Sequence, residues 1–234
     1  MVGRLGQIPI LRIVAVVLAV GIVTAALVTA ATSVAARPRI VPHLTEGSPK
    51  GPLVVTIGDS IMEGHGLSAP EAWPGLLAQT SGWRIINLAS DGSGFVAIGD
   101  EGDTFANQVS AAIALHPDAV ILEGSSNDIG VSNSVLDAAT DSTIAHLHRA
   151  LPGAVLIGLS AVWSDTTPPG QLADIDDQVD AAVTSSGGYY LDIGQPLGGR
   201  VDLMQSDDVH PTEAGQSALA QAISGAFASS AIRF

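Results

Sequence analysis

Short apolar runs alternate with longer stretches of helical spacing along most of the 234-residue chain. The apolar runs are rich in Val, Ile and Leu and lie at 52–57, 83–88, 118–123, 154–159 and 188–193. The stretches with helical spacing lie at 70–80, 104–115, 134–151, 171–184 and 212–229. Strands that alternate with helices are typical of parallel βαβ units, and nearly continuous apolar strands indicate helices on both faces of the sheet. The pattern predicts an α/β fold: a three-layer α/β/α sandwich with a five-stranded parallel sheet, flavodoxin-like in outline.

The residues that follow the predicted strands are the first candidates for a functional site, because open parallel sheets bind ligands beyond the carboxyl ends of their strands. Ser60 follows the first run, Gly92 lies in a turn after the second, and Asn127 follows the third. Near the C-terminus, Asp207 precedes His210 by three positions. We expect these five residues to meet at one edge of the sheet.

This combination of side chains suits acyl transfer. A serine hydroxyl is a weak nucleophile unless a histidine takes its proton, and that histidine must be oriented by a third group. We therefore predict Ser60 as the nucleophile, His210 as the general base and Asp207 as the acid that orients His210. Asp202 and Asp208 are also close in sequence, but the three-residue spacing favours Asp207.

The tetrahedral intermediate of acyl transfer also needs hydrogen-bond donors aimed at its oxyanion. We predict that the backbone N–H groups of Ser60 and Gly92 and the side-chain amide of Asn127 supply them. A glycine at position 92 lets the backbone approach a substrate with no side chain in the way.

These segments resemble the four sequence blocks of the SGNH hydrolase (GDSL-like lipase/esterase) family, and they occur in that family's order. Ser60, in Gly-Asp-Ser, matches the nucleophile of the first block. Gly92 and Asn127 match the oxyanion residues of the second and third blocks, and the aspartate-x-x-histidine at 207–210 matches the fourth. The resemblance implies the SGNH hydrolase fold and an esterase, lipase, thioesterase or carbohydrate deacetylase activity that needs no metal and no organic cofactor.

The third block departs from the family pattern at one position. Ser125 stands where the family usually has glycine, and Gly124 comes one place earlier. The family does not select a substrate, which we expect to be a small-molecule, lipid or glycan ester. Two alternatives stay open: an envelope glycan O-acetyltransferase or deacetylase on the same residues, and a non-catalytic binding domain on the same scaffold.

Each site residue also has a simpler interpretation when taken alone. Ser60 is compatible with a helix N-cap, Gly92 with a plain turn, Asn127 with a capping amide and His210 with a surface loop. Only the occurrence of the whole set in order favours a catalytic site over these interpretations.

Four further side chains are predicted near the site, each with a structural alternative. Trp73, Phe95 and Trp163 lie near the expected mouth, where they would shape an apolar acyl pocket or else pack in the core. His65 follows the predicted nucleophile closely, and we interpret it as a partly exposed loop histidine.

The N-terminal part of the chain differs from the rest. Residues 13–36 carry no charged side chain, and Arg4 and Arg12 precede them. A segment of about 20 apolar residues is long enough to span a bilayer, whereas basic, apolar and small-residue parts in that order are typical of a signal peptide. We predict an anchor or signal peptide over 1–36, a Pro- and Gly-containing linker over 37–51, and a hydrolase domain over 52–234. The domain would then lie outside the cytoplasm and meet the membrane only through the N-terminal segment.

The charge balance excludes one class of partner. The chain has 9 Lys and Arg against 23 Asp and Glu, a formal net charge of −14. A strongly acidic domain repels polyanions, so nucleic acid is not a predicted partner. Because the chain has no cysteine, disulfides, thiolate metal sites and a cysteine nucleophile are excluded as well.

Overall fold

The computed structural model describes residues 40, 42–45 and 50–234. The predicted anchor or signal peptide at 1–36 therefore lies outside the described residues, as does most of the predicted linker. Within the part that is described, no helix combines the length and the apolar character needed to cross a membrane.

The described residues form one sheet of six strands. The strands are β1 (His43–Thr45), β2 (Leu53–Ile57), β3 (Arg84–Asn87), β4 (Ala119–Glu123), β5 (Val155–Leu159) and β6 (Tyr189–Leu191). Their spatial order is β1-β3-β2-β4-β5-β6. The last five are parallel to one another, in the flavodoxin-like order, and they confirm the five predicted strands.

Strand β1 is an addition to the predicted sheet. It pairs antiparallel with β3 at the sheet edge and lies within 37–51, the stretch predicted as a linker. The sequence did not reveal it because a three-residue strand is too short to show a period, and its residues, His-Leu-Thr, are not an apolar run.

Helices cover both faces of the sheet, as predicted. The described helices are α1 (Ser60–Glu63), α2 (Trp73–Ser81), α3 (Phe105–Leu115), α4 (Asn133–Ala150), α5 (Gly170–Ser185) and α6 (Glu213–Ser229). The five long helices match the predicted stretches. Helix α1 was missed because it has only four residues, about one turn.

Successive residues of the central strand β2 enter opposite cores, because strand side chains alternate between faces. Val54 packs with Trp73 of α2 and Leu219 of α6. Val55 belongs to the second core, with residues of α3, α4 and α5 such as Phe105. Strand β2 is buried between β3 and β4, so the chain that leaves it enters the middle of the carboxyl edge, flanked by the loops that follow its two neighbours.

Candidate active site

Ser60 is the first residue of α1, directly after the central strand β2. Asp59 caps this one-turn helix by accepting the N–H of Ile61 at 3.0 Å. Two buried amides hold the turn in place: Asn87 Nδ2 donates to the carbonyl of Met62 at 2.9 Å, and Gln216 Nε2 donates to that of Ile61 at 2.8 Å. The position of Ser60 is therefore set by β3 and α6 as well as by its own strand.

The structure brings the three residues of the predicted triad together. His210 Nε2 lies 3.0 Å from Ser60 Oγ, and His210 Nδ1 lies 2.7 Å from Asp207 Oδ2. The second oxygen of Asp207 accepts the backbone N–H groups of Val209 and His210, both at 3.0 Å. These bonds, led by the backbone N–H of His210, hold the pKa of Asp207 well below its usual value. A carboxylate that stays charged keeps the N–H of His210 on Nδ1 and leaves Nε2 free to accept the serine proton.

The three predicted oxyanion donors lie at the same edge of the sheet. Gly92 adopts φ 73°, in the left-handed region that favours glycine. Among the residues that the structure describes, the backbone N–H groups of Ser60 and Gly92 have no acceptor. Asn127 Nδ2 donates to the carbonyl of Ser93 at 3.1 Å, which fixes the amide and leaves its second N–H for another acceptor.

Ser125, at the position where the family has glycine, is fully buried and links the loops of the site. Its hydroxyl lies 2.7 Å from Asp59 Oδ2 and 3.0 Å from the Ser93 carbonyl, and it accepts the N–H of Asn127 at 3.1 Å. One hydroxyl hydrogen serves only one acceptor at a time. The Ser125 hydroxyl therefore donates either to the Asp59 carboxyl or to the Ser93 carbonyl, and burial raises the pKa of Asp59.

The backbone explains why serine is accepted there. Ser125 has φ −117° and ψ 130°, an extended conformation open to any residue. The close approach falls instead on Gly124, where a Cβ would lie 2.9 Å from Ile175 Cγ2 and 3.1 Å from Ala161 Cβ. The departure from the family pattern therefore leaves the path of the loop unstrained.

Buried carboxyl groups lie behind the nucleophile. Asp128 accepts three consecutive backbone N–H groups, from Phe95, Val96 and Ala97, at 2.7 to 3.0 Å, and so holds the loop after Gly92 against the third block. Glu123 is also fully buried, and among the described residues its Oε1 has no hydrogen-bond partner. Burial raises the pKa of Glu123 well above its usual value, and the neighbouring Asp59 carboxyl raises it further.

The buried Glu123 gives a prediction for stability against pH. Its pKa is higher in the folded than in the unfolded chain, so the folded state binds more protons, and the free energy of unfolding falls as pH rises from about 4.5 towards the folded pKa. Glu123→Gln keeps the shape of the protonated acid and removes this titration. Denaturant unfolding at several pH values above 4.5 should show a smaller fall in the free energy of unfolding for Glu123→Gln than for wild type, because the amide does not titrate. The exposed Glu101→Gln is the matched control, and parallel curves for both variants and wild type would contradict the prediction.

His65, which the sequence placed near the site as a partly exposed loop histidine, contacts the predicted base. Its ring stacks on the ring of His210, with centroids 4.1 Å apart and planes at 26°. Its Nδ1 is hydrogen-bonded to Asp91 Oδ2 at 2.5 Å, which raises the pKa of His65. The side chain is 42% exposed, as a loop histidine is expected to be, but the contact shows that it also supports the predicted base.

The His65–His210 stack leads to a second prediction. Aromatic stacking contributes about 0.5–1.5 kcal/mol, so His65→Ala should lower kcat for an ester by about 2- to 10-fold by loosening the His210 ring. His65→Phe keeps an aromatic surface and should retain most of the activity. Steady-state kinetics of both variants test this, and an equal loss in the two would show that stacking is not the reason.

The same histidines bear on metal binding. His65, Asp207 and His210 offer ligand atoms within 4.8 Å of one another. An imidazole nitrogen binds a metal through the lone pair in the plane of its ring. Both nitrogens of His210 and Nδ1 of His65 already take part in hydrogen bonds, and we assign no metal to this group.

A serine, a histidine and an aspartate in hydrogen-bonded series, at the carboxyl edge of a flavodoxin-like sheet, define the class of serine hydrolases. The comparisons with known proteins narrow that class. Residues 56–218 match the model of the GDSL-like lipase/acylhydrolase family. The chain belongs to this family, and it is an ester-hydrolysing serine hydrolase with the SGNH fold.

Known relatives agree with this assignment. The chain is 27% identical over 186 residues to the GDSL lipase Rv0518 of Mycobacterium tuberculosis, covering 73% of this chain and 79% of the relative. Its fold is similar to that of the psychrotrophic esterase EstA from Pseudoalteromonas sp. (TM-score 0.62, 17% identity, 75% of this chain and 96% of that one). It is also similar to that of a family two carbohydrate esterase from Cellvibrio japonicus (TM-score 0.61, 14% identity, 76% and 61%).

Proposed function

We propose that this protein hydrolyses acyl esters through a covalent acyl-enzyme on Ser60. The observation that supports this proposal most strongly is the continuous hydrogen-bonded series of Asp207, His210 and Ser60. The Asp207 Oδ2–His210 Nδ1 distance is 2.7 Å, and the His210 Nε2–Ser60 Oγ distance is 3.0 Å. The unpaired N–H groups of Ser60 and Gly92 support it, because an oxyanion would occupy them. The intact hydrogen-bonded series of Asp207, His210 and Ser60 argues against a non-catalytic binding domain.

The chemistry follows from the roles of these atoms. Ser60 Oγ attacks the ester carbonyl carbon, and its proton passes to His210 Nε2. The tetrahedral intermediate collapses, the bond to the alcohol oxygen breaks, and His210 returns the proton to the departing alcohol. Water then attacks the acyl-enzyme and gives one proton to His210. The bond to Ser60 Oγ breaks, the acid leaves, and the proton returns to Ser60.

Labelling with an organophosphate tests the mechanism. With paraoxon, the fraction of activity lost should equal the fraction of protein that carries one added diethylphosphoryl group. Peptide mass spectrometry should locate that group on Ser60. The nearby Ser68, which hydrogen-bonds to Glu71 at 2.5 Å, should stay unmodified. Full inactivation with the adduct on another residue would rule out Ser60 as the nucleophile.

The acceptor of the acyl group decides between two activities. We propose water, with small-molecule, lipid or acetylated glycan esters as substrates. A glycan hydroxyl could react with the same acyl-enzyme, because the triad is accessible from solvent: the side chain of Asp207 is 42% exposed. With p-nitrophenyl acetate and an added cello-oligosaccharide, the released p-nitrophenol should equal the acetic acid formed. An acetylated saccharide in place of the acid would identify a transferase.

We also propose that the domain works outside the cytoplasm, because residues 13–36 are uncharged and follow basic residues. A fusion of the full chain to alkaline phosphatase, which is active only after export, would be active in a bacterial host. An inactive fusion protein that is present at normal levels would contradict this location.

A further inference from the structure

A small cavity lies beside the candidate triad. Its walls are chain neighbours of the site residues: Ile61 follows Ser60, and Val209 precedes His210. The lining is completed by Ser126, Val162, Trp163, Ser164 and Asp208. Since the wall comes from three of the loops that form the site, a substrate held by the triad and the oxyanion donors would place one of its groups here.

The size of the cavity limits that group. Its volume is about 60 Å³, whereas pockets for drug-sized ligands have roughly 300–1,000 Å³. The cavity is therefore several-fold smaller than a drug-sized pocket, and its size suits a short alkyl group better than a long alkyl chain.

The chemistry of the lining also limits which groups the cavity can hold. Ile61, Val162, Trp163 and Val209 present apolar surface, which suits an alkyl group. Asp208 adds a carboxylate to the lining, so an acyl group with a negatively charged end would be repelled. The alcohol half of an ester does not fit this cavity as well as the acyl half, because an alcohol such as a sugar is larger and polar.

Trp163 has the largest side chain of the lining, and hydrogen bonds hold it in position. Its backbone N–H donates to Gln195 Oε1 at 2.9 Å, while Gln195 Nε2 donates to the Ala161 carbonyl at 3.0 Å. Its indole N–H donates to Thr166 Oγ1 at 2.9 Å. The indole ring therefore does not swing aside without breaking its hydrogen bond to Thr166.

The other aromatic candidates do not share this role. Trp73 is fully buried between α2 and the sheet. Phe95 is 5% exposed and packs edge-on against Phe105 at 5.0 Å between ring centroids. Both belong to the core, so of these three aromatic residues only Trp163 lines the cavity.

We propose that this cavity is the acyl pocket and that Trp163 restricts the enzyme to short acyl groups without a negative charge, such as acetyl and butyryl. The proposal rests on the proposed function, in which Ser60 is acylated. It makes acetylated or similarly short esters the substrate class and excludes long-chain lipid esters.

Chain-length profiles test the pocket. For wild type, kcat/KM with p-nitrophenyl acetate and butyrate should exceed that with the octanoate by at least about 10-fold, since each misplaced methylene group costs roughly 10-fold or more. Trp163→Ala opens the cavity and should raise the octanoate-to-acetate ratio at least about 10-fold. Trp163→Phe keeps most of the aromatic surface and should give an intermediate octanoate-to-acetate ratio. It tests the proposal even if Trp163→Ala does not fold.

Two results would contradict the proposed acyl pocket. The first is that wild type has the same kcat/KM for the octanoate as for the acetate. The second is that wild type and Trp163→Ala show the same dependence of kcat/KM on chain length. Paraoxon labelling separates these from a failure of the mechanism. If Ser60 is labelled in every variant while kcat/KM does not depend on chain length, the proposed acyl pocket is wrong and the proposed acyl-enzyme mechanism is retained. If no ester is turned over and Ser60 is not labelled, the proposed function itself is wrong.

Discussion

Replacing Ser60 by alanine is expected to lower kcat for p-nitrophenyl acetate by at least about 10⁴-fold, because the acyl-enzyme can no longer form. The fold should be unchanged. Ser60 is 7% exposed, its hydroxyl bonds to His210 Nε2, and the turn that carries it is held through backbone carbonyls by Asn87 and Gln216. Thermal unfolding followed by circular dichroism should therefore give the same midpoint for variant and wild type within about 2 °C, since little stability is lost.

The control for this variant is Ser110→Ala. Ser110 lies on the exposed side of α3, where its hydroxyl bonds to the carbonyl of Ala106 at 2.9 Å, and its loss should leave kcat unchanged. A Ser60→Ala protein that keeps more than a tenth of the wild-type rate, in a preparation free of host esterase, would exclude Ser60 as nucleophile. Loss of activity together with loss of the folded signal would instead point to a structural role.

Replacing Asn127 by alanine is expected to lower kcat about 100- to 1,000-fold with little change in KM. An oxyanion donor acts on the charge that develops in the transition state, so its removal lowers kcat more than it weakens substrate binding. Asn127 is exposed, and Ser125 Oγ would still accept the backbone N–H at position 127. The loop should therefore stay in place.

Asn133→Ala is the matched control, because it makes the same truncation at the start of α4, where the amide bonds to Asp174 at 2.8 Å. It should not change kcat. If Asn127→Ala raised KM at constant kcat, the amide would contribute to substrate binding and not to the oxyanion. A kcat within 3-fold of wild type would remove Asn127 from the site altogether.

The sheet and its helices were predictable because their signal is local. A buried parallel strand appears as a run of apolar residues, and β2 and β4 are such runs. The boundaries differ from the prediction by only a few residues. Helix α1 and strand β1 escaped prediction because four and three residues are too few to show a period.

The site residues were predictable for a different reason. A parallel sheet places every strand's carboxyl end at one edge, so the residues after β2, β3 and β4 had to come close together. The order of the blocks then indicated which of them act together. Ser60 and His210 are 150 positions apart, yet the fold brings them into hydrogen-bond contact, as the order of the blocks indicated.

The sequence by itself thus determined the α/β/α architecture, the edge at which the site lies, and the identity of Ser60, Asp207 and His210 as its candidates. The tertiary structure alone decided that Ser125 joins the loops of the site, that His65 supports His210, and that Trp163, not Trp73, faces the cavity. Ser125 and Asp59 are 66 positions apart. Contacts of this kind depend on side-chain packing between distant segments, and no local pattern of residues encodes which of several neighbouring side chains will meet.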